Sequence, residues 1–244
     1  MTDVPRVLAF GGGVNTVAEL LLEIDEDRTP DLVIFADTME EHDYTYDYLF
    51  ERIVPLCWDN GIPFVQVYSG LGRLVDYYTT VRAVPSLMRR DCTDKFKIDP
   101  IRRHLRRLGW KKVHLILGIA YDEIQRVKDS DVKWIENEYP LIDRKMTRAD
   151  CEAVIAAHGW PSPKKSGCQG CPFSGKRGLA ALLARDPVEF ARWRAMETNG
   201  SRYPEITLVP KIRLEWMEQA TKEQRNLLDF PDDGEEPCSG NCMV

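Results

Sequence analysis

Arg6-Val7-Leu8-Ala9-Phe10-Gly11-Gly12-Gly13-Val14-Asn15-Thr16 is the stretch on which the fold turns. Its first half is strand-length, and its continuous apolar character marks a strand buried on both faces. Helical spacing then takes over at Val17, Leu20, Leu21 and Ile24. Three glycines between them leave no Cβ in the way of an approaching anion, and a helix N-terminus adds partial positive charge. Asn15 and Thr16 add side-chain donors suited to phosphate oxygens. The loop is not a Walker A sequence, because no Lys-Ser/Thr follows the glycines. Nor is it G-x-G-x-x-G, because Thr16 fills the sixth position. On these residues alone two readings stand: a phosphate cradle, or a tight turn without ligand.

The alternation continues outward. Residues 31–36 and 63–67 read as further strands, with a helix-length segment over 44–60 that is broken or kinked at Pro55. Asp99-Pro100 has the form of an N-cap with proline at the first helical position, opening a helix to Leu108 that Gly109 ends. Residues 112–117 form a fourth strand. Buried strands separated by helices predict a Rossmann-like α/β domain over residues 1–145, a parallel five-stranded-type sheet with helices on both faces. From about residue 146 strand patterns vanish. Thr147-Arg148-Ala149-Asp150 has capping-box spacing for a helix that runs to Gly159. Helices are expected near 179–184, 187–196 and 214–228, so 146–230 reads as a small helical subdomain packed against the sheet. Residues 231–244 read as a mobile polar tail carrying Cys238 and Cys242.

Composition excludes several classes. With 43% hydrophobic and 30% charged residues among 244, the chain is an ordinary globular protein. Its longest apolar runs are strand-length, which argues against a membrane partner. Met1-Thr2-Asp3-Val4-Pro5-Arg6 has no basic region before an apolar run, so no signal peptide is visible and a cytoplasmic location is expected. Seven cysteines in such a chain point to metal or redox chemistry more than to disulfides. Cys168-Gln169-Gly170-Cys171 suits zinc, an iron-sulfur cluster or a redox dithiol, and Pro172 fits a metal knuckle. Cys57, among apolar helix residues, reads as a core thiol. Cys92 and Cys151 are ligands or buried thiols, and Asp37 and Asp122, at strand ends, are nucleotide contacts or helix caps.

The net charge of −6 hides an asymmetry. Between Val81 and Lys112 eleven Lys/Arg stand against three Asp, with Arg102, Arg103, Arg106 and Arg107 on one helix face. Such a belt attracts the phosphates of a nucleotide or nucleic acid, or else it is a solvated face paired with the eight carboxylates between Glu215 and Glu236.

The glycine loop resembles the pyrophosphate loop of the adenine nucleotide alpha-hydrolase superfamily, usually S-G-G-x-D-S, whose places are filled here by Gly11 to Thr16. Asn15 in place of the aspartate weakens the case for Mg²⁺ at that point. The resemblance implies that Asp37 and Thr38 line an adenosine pocket. It also puts Gly118, Tyr121 and Asp122 on the substrate side, with Arg126 contacting phosphate or sulfate. The segment Cys92-Thr93-Asp94-Lys95-Phe96-Lys97-Ile98-Asp99-Pro100 is similar to the C-C-x-x-R-K-V-x-P-L segment of adenylylsulfate reductases. Cys92, Lys97 and Pro100 match its first cysteine, its lysine and its proline. Those enzymes pair the segment with a downstream C-x-x-C to hold a [4Fe-4S] cluster. Thr93 removes one thiolate, and Cys151 is the replacement on offer. Sulfur-transfer subunits of DNA phosphorothioation systems have a related layout, and a three-cysteine cluster with an open iron resembles tRNA thiolation enzymes. Glu236-Pro237-Cys238 loosely resembles the E-C-G-x-H tail motif of sulfonucleotide reductases.

The resemblance implies a PAPS (phosphoadenosine phosphosulfate) reductase-like enzyme binding ATP or another adenine nucleotide, with Mg²⁺ as an accessory ion. A [4Fe-4S] cluster, or zinc, would sit on Cys92, Cys151, Cys168 and Cys171, with Cys238, Lys97 and Arg126 as catalytic candidates. The leading reaction is AMP- and pyrophosphate-forming sulfur transfer. Its further partners are a nucleic acid or sulfur-donor protein and a second copy of the chain. The alternatives are sulfonucleotide reduction by Cys238 and a non-enzymatic zinc-knuckle protein that binds nucleic acid.

Overall fold

The computed structural model describes residues 4–87, 90–200 and 205–223. Five strands form one all-parallel sheet: β1 (Arg6–Phe10), β2 (Leu32–Asp37), β3 (Phe64–Tyr68), β4 (Val113–Leu117) and β5 (Ile135–Glu138), in the order β3-β2-β1-β4-β5. The helical segments in chain order are α1 (Val14–Asp25), α2 (Asp43–Tyr48), α3 (Val54–Asp59), α4 (Leu74–Val81), α5 (Asp91–Thr93) and α6 (Asp99–Arg107). They continue with α7 (Pro140–Asp143), α8 (Arg148–Ala157), α9 (Gly175–Arg185), α10 (Pro187–Gly200) and α11 (Leu214–Lys222).

Strand alternation divides the core into two layers. Leu8 and Phe10 of β1 point to the face covered by α1, α3 and α8. Val7 and Ala9 point to the other, where Ile101 and Leu105 of α6 pack. A third core gathers α4, α9, α10 and α11 around the fully buried Trp193, and it also takes in Phe96. The cores therefore do not divide at residue 146. Helix α8 belongs with α1 on the sheet, while α4 joins the helices that follow residue 175.

The four expected strands form within a residue of their predicted ends. The edge strand β5 carries one apolar residue in Ile-Glu-Asn-Glu, too few to show a pattern. The Thr147 capping box closes in both directions, Thr147 Oγ1 accepting from Asp150 N at 3.4 Å and Asp150 Oδ2 from Thr147 N at 2.8 Å.

Two expectations about prolines need correction. The helix at 43–59 does not break at Pro55, and the helix bearing Pro100 starts at Asp91, with no N-cap at Asp99. In each case a π-helical turn, Leu49–Ile53 or Asp94–Ile98, ends two residues ahead of the proline. Proline lacks an N–H and its ring collides with the carbonyl four residues back, here on Glu51 and Phe96. Both carbonyls lie in the widened turns, which absorb the conflict and keep the helix continuous.

Candidate functional site

Strand connections leave β1 and β4 in opposite directions, so the crevice at their C-terminal ends is the switch point where open parallel sheets bind ligands. The glycine loop opens there. Gly12 has φ +74°, and a Cβ on it would lie 2.9 Å from Thr45 Cγ2 and 3.5 Å from Ser166 Cβ. Both facts demand glycine. Helix α1 starts at the N-cap Gly13 with no side-chain cap and no acidic residue in its first turn, which leaves its first amides to other acceptors. Gly118, just past β4, backs directly onto Thr16.

The side chains of the loop are engaged differently from expectation. Thr16 Oγ1 turns back to donate to Gly13 O at 3.0 Å. Asn15 Nδ2 donates to Glu123 Oε2 at 2.9 Å, and Glu123 pairs with Arg126 at 2.9 Å. An aspartate at position 15 would face Glu123 with like charge, which accounts for the asparagine. Asn15 Oδ1 and Thr45 Oγ1 are buried without a hydrogen-bond partner, so the cradle holds orphaned polar atoms beside its glycines. Asp122 accepts from Arg148 N at the start of α8, at 3.3 and 3.4 Å. Tyr121 is half-exposed, its amide donating to Met146 O. Asp37 is saturated: Met39 N and Tyr46 Oη donate to Oδ1 at 2.6 and 2.7 Å, and Gln66 Nε2 to Oδ2 at 2.7 Å. It fixes the turn after β2, where Met39 has φ +60°.

That turn receives the thiol loop. Cys168 Sγ lies 3.2 Å from Thr38 Oγ1 and 4.0 Å from Glu41 Oε1. Gln169 N donates to Glu40 O at 2.7 Å, and Glu41 and Cys168 form an antiparallel bridge. Lys97 Nζ reaches the same Glu41 Oε1 at 3.4 Å. Lys97 belongs to the wide π turn over Asp94–Ile98, which begins two residues past Cys92. Arg90, two residues before Cys92, lies over the Phe173 ring at 5.5 Å, two residues past Cys171, so the Cys92 helix and the C-x-x-C loop meet. Cys92 and Cys168 both pack against the third core.

Cys151 is not brought to this group. It is fully buried in the other core, between α1 and α8, and burial together with Glu19 pushes its thiol up to about 12. Cys57 is a core thiol as expected, likewise raised by burial to about 12. Among the described residues no group of three or more His, Cys, Asp or Glu side chains is arranged to hold a metal ion. The expected four-cysteine set therefore does not fit a cluster or zinc as a formed site. Cys238 and Cys242 lie outside the described residues.

Three arginines of the basic belt are engaged within the chain. Arg102 pairs with Asp131, Arg103 Nη2 donates to Ser69 O at 3.0 Å, and Arg106 stacks over Trp134 at 3.9 Å. Glu218, from the acidic stretch expected to neutralise the belt, pairs instead with Arg194 and Lys222. No helix of the described residues is long and apolar enough to cross a membrane.

Sequence reasoning missed Glu123, Glu41, Arg73, Glu189 and Trp193. Only the acidic pair Glu40-Glu41, just past a strand end, carried a readable signal.

Protein-family models give no match to this chain, and neither do curated proteins. Among solved structures it is similar to phosphoadenylyl-sulfate (PAPS) reductase from Candida auris in its phosphate complex, with TM-score 0.51 and 18% identity, over 68% of this chain and 82% of that one. It is also similar to the U34-tRNA thiolase NcsA from Methanococcus maripaludis with its [4Fe-4S] cluster, with TM-score 0.46 and 14% identity, over 80% and 71%. Strand order, parallel sheet and helical layers together give this chain a PAPS reductase-like α/β fold.

Proposed function

We propose that the chain is an adenine-nucleotide-binding enzyme that uses ATP to drive sulfur transfer. The observation that carries this reading is the seat of Gly12, wedged between Thr45 and Ser166, the residue two positions ahead of Cys168. Glycine cradle and thiol loop thus share one crevice. Polyphosphate binds against the amides of Gly11, Gly12 and Gly13 and the uncapped start of α1. An acceptor oxygen attacks the α-phosphate and pyrophosphate leaves, after which sulfur displaces AMP from the adenylated acceptor. Arg126, held through Glu123 against Asn15, supplies cationic charge near the start of α1, and Lys97, held by Glu41, supplies it beside Cys168. The reacting sulfur is the outer sulfur of a sulfur-donor protein's persulfide. The Cys168 thiolate takes it as the donor's thiolate leaves, and it attacks the adenylated carbon as AMP leaves. Cys171 then attacks Cys168 Sγ to free the thiolated acceptor, the disulfide so formed being reduced by an external thiol. No step is assigned to an iron-sulfur cluster or to zinc, because the four expected thiols do not converge. The acceptor is a nucleotide or nucleic acid in this reading.

Calorimetry with ATP, ADP and PAPS, together with an assay for AMP and pyrophosphate, tests the proposal. ATP binding that falls tenfold or more in Gly12→Ala, with AMP and pyrophosphate formed, supports it. Sulfite released from PAPS without AMP formation replaces it with sulfonucleotide reduction.

A further inference from the structure

We propose that Arg73 is the positioning residue of the thiol loop, a clamp that holds Cys168-Gln169-Gly170-Cys171 between the turn after β2 and helix α10. Arg73 stands at the start of α4, where Leu74 N donates to Thr38 O at 3.2 Å. Its guanidinium grips Glu40 with both arms, Nε to Oε1 at 2.9 Å and Nη2 to Oε2 at 3.0 Å. The same Nη2 reaches Glu189 of α10 at 3.4 Å. The Glu40 side chain is wholly buried and Glu189 is 10% exposed, so without the cation two desolvated carboxylates face each other.

Each carboxylate leads to a different side of the loop. On Glu40 the backbone carbonyl accepts from Gln169 N, and the next residue, Glu41, bridges Cys168. On Glu189, Oε1 accepts from Trp193 Nε1 at 3.1 Å. The Trp193 ring in turn fills the space above Gly170, where a Cβ would lie 2.0 to 2.4 Å from ring atoms. Gly170 is therefore dictated by the indole, and the indole's rotation is fixed by Glu189. A bidentate guanidinium fixes both distance and angle between its partners, which a lysine ammonium does not. Arg192 also pairs with Glu189 and ties it to Asp76, so α10 keeps an anchor when Arg73 is lost. What is lost is the spacing across the loop, and with it the 3.2 Å approach of Cys168 to Thr38.

The inference rests on the thiol loop's place in the crevice and not on which nucleotide binds there. The experiment follows alkylation of single cysteines by iodoacetamide, read by mass spectrometry from pH 6 to 9, in the full chain and in Arg73→Met, Arg73→Lys and Glu189→Gln. Cys57, fully buried, reports whether the fold is intact. Cys168 should react at least tenfold faster in Arg73→Met, with a displaced pH profile, while Cys57 stays protected. Arg73→Lys should recover only part of the protection. If Arg73→Met does not fold, Glu189→Gln, which keeps an acceptor for the indole but removes one charge from the clamp, carries the test with an expected threefold or greater change. Cys168 reactivity within twofold of the unaltered chain in a folded variant overturns the assignment. ATP binding measured on the same samples separates this outcome from a failure of the nucleotide reading, since the clamp does not touch the glycine cradle.

Discussion

Gly118 and Thr16 are in direct contact: a Cβ at position 118 would lie 2.7 Å from Thr16 Cγ2 and 2.9 Å from its Cα and N. The end of β4 and the first turn of α1 are thereby pressed together at the switch point. Gly118→Ala must displace backbone, not merely a side-chain tip. The expected cost is about 1–3 kcal/mol of stability, as for other overpacked sites. Nucleotide affinity should fall along with it, because α1 is pushed away from the cradle. Urea unfolding and calorimetry on the same variant check both effects.

Asn15→Asp would supply the aspartate of the S-G-G-x-D-S pattern that the glycine loop resembles, yet it should harm this chain. The Nδ2 donor to Glu123 disappears and a second carboxylate takes its place at hydrogen-bond distance. A loss of roughly 1–3 kcal/mol follows from an unsatisfied buried acceptor. Thermal unfolding from pH 4.5 to 8 measures it.

Cys151→Ala should behave as a core truncation and nothing more. Removing its sulfur from a fully buried site costs roughly 1–2 kcal/mol. Cys168 alkylation should not change. In the unaltered chain Cys57 and Cys151 should resist iodoacetamide at pH 8 until the protein unfolds, since burial lifts both thiols to about 12. Labelling Cys151 in the native state at the rate of an exposed thiol would contradict its placement.

Stability should decline from pH 6.5 to 8. Burial and the neighbouring Glu23 raise Glu19 from 4.5 to about 8, against the pull of Arg144. Burial raises Glu40 to about 7 despite Arg73. The folded chain thus keeps protons that the unfolded chain has released near pH 4.5, and stability falls with rising pH until each folded value is passed. The slope is about 1.4 kcal/mol per pH unit for each group still protonated. His42, lowered to about 4 chiefly by burial, and His104, lowered likewise, give the opposite slope only up to about one unit above the ordinary 6.5, so the upper part of this window isolates the carboxylates. Thermal midpoints should flatten across it in Glu19→Gln, which retains an acceptor for Arg144.

Much of this architecture was legible because burial on both faces writes itself as continuous apolar runs, as in β1 and β2. The capping box at Thr147 was legible because its two hydrogen bonds need residues three apart. Strand β5 was hidden by its edge position. The π turns were hidden because widening a helix by one residue leaves no composition signature. In the site, glycines and cysteines announced themselves by spacing. Arg73, Glu189 and Trp193 act on the loop from positions distant in sequence, and nothing local marks them. Cys151 misled for the same reason: a thiol on an amphipathic helix looks alike whether it faces a cofactor or the core.

The turn at Asp94–Ile98 makes the interval between Cys92 and Pro100 a quantity that the helix counts. In a regular α-helix each residue advances about 100° around the axis. The wide turn holds one residue more than an α turn, so deleting one residue from 94 to 98 would close it and leave Cys92 near its present side of the helix. Such a deletion would give up the room for the Pro100 ring opposite the Phe96 carbonyl. The surplus residue thus lets one helix keep both its proline and a fixed direction for its cysteine.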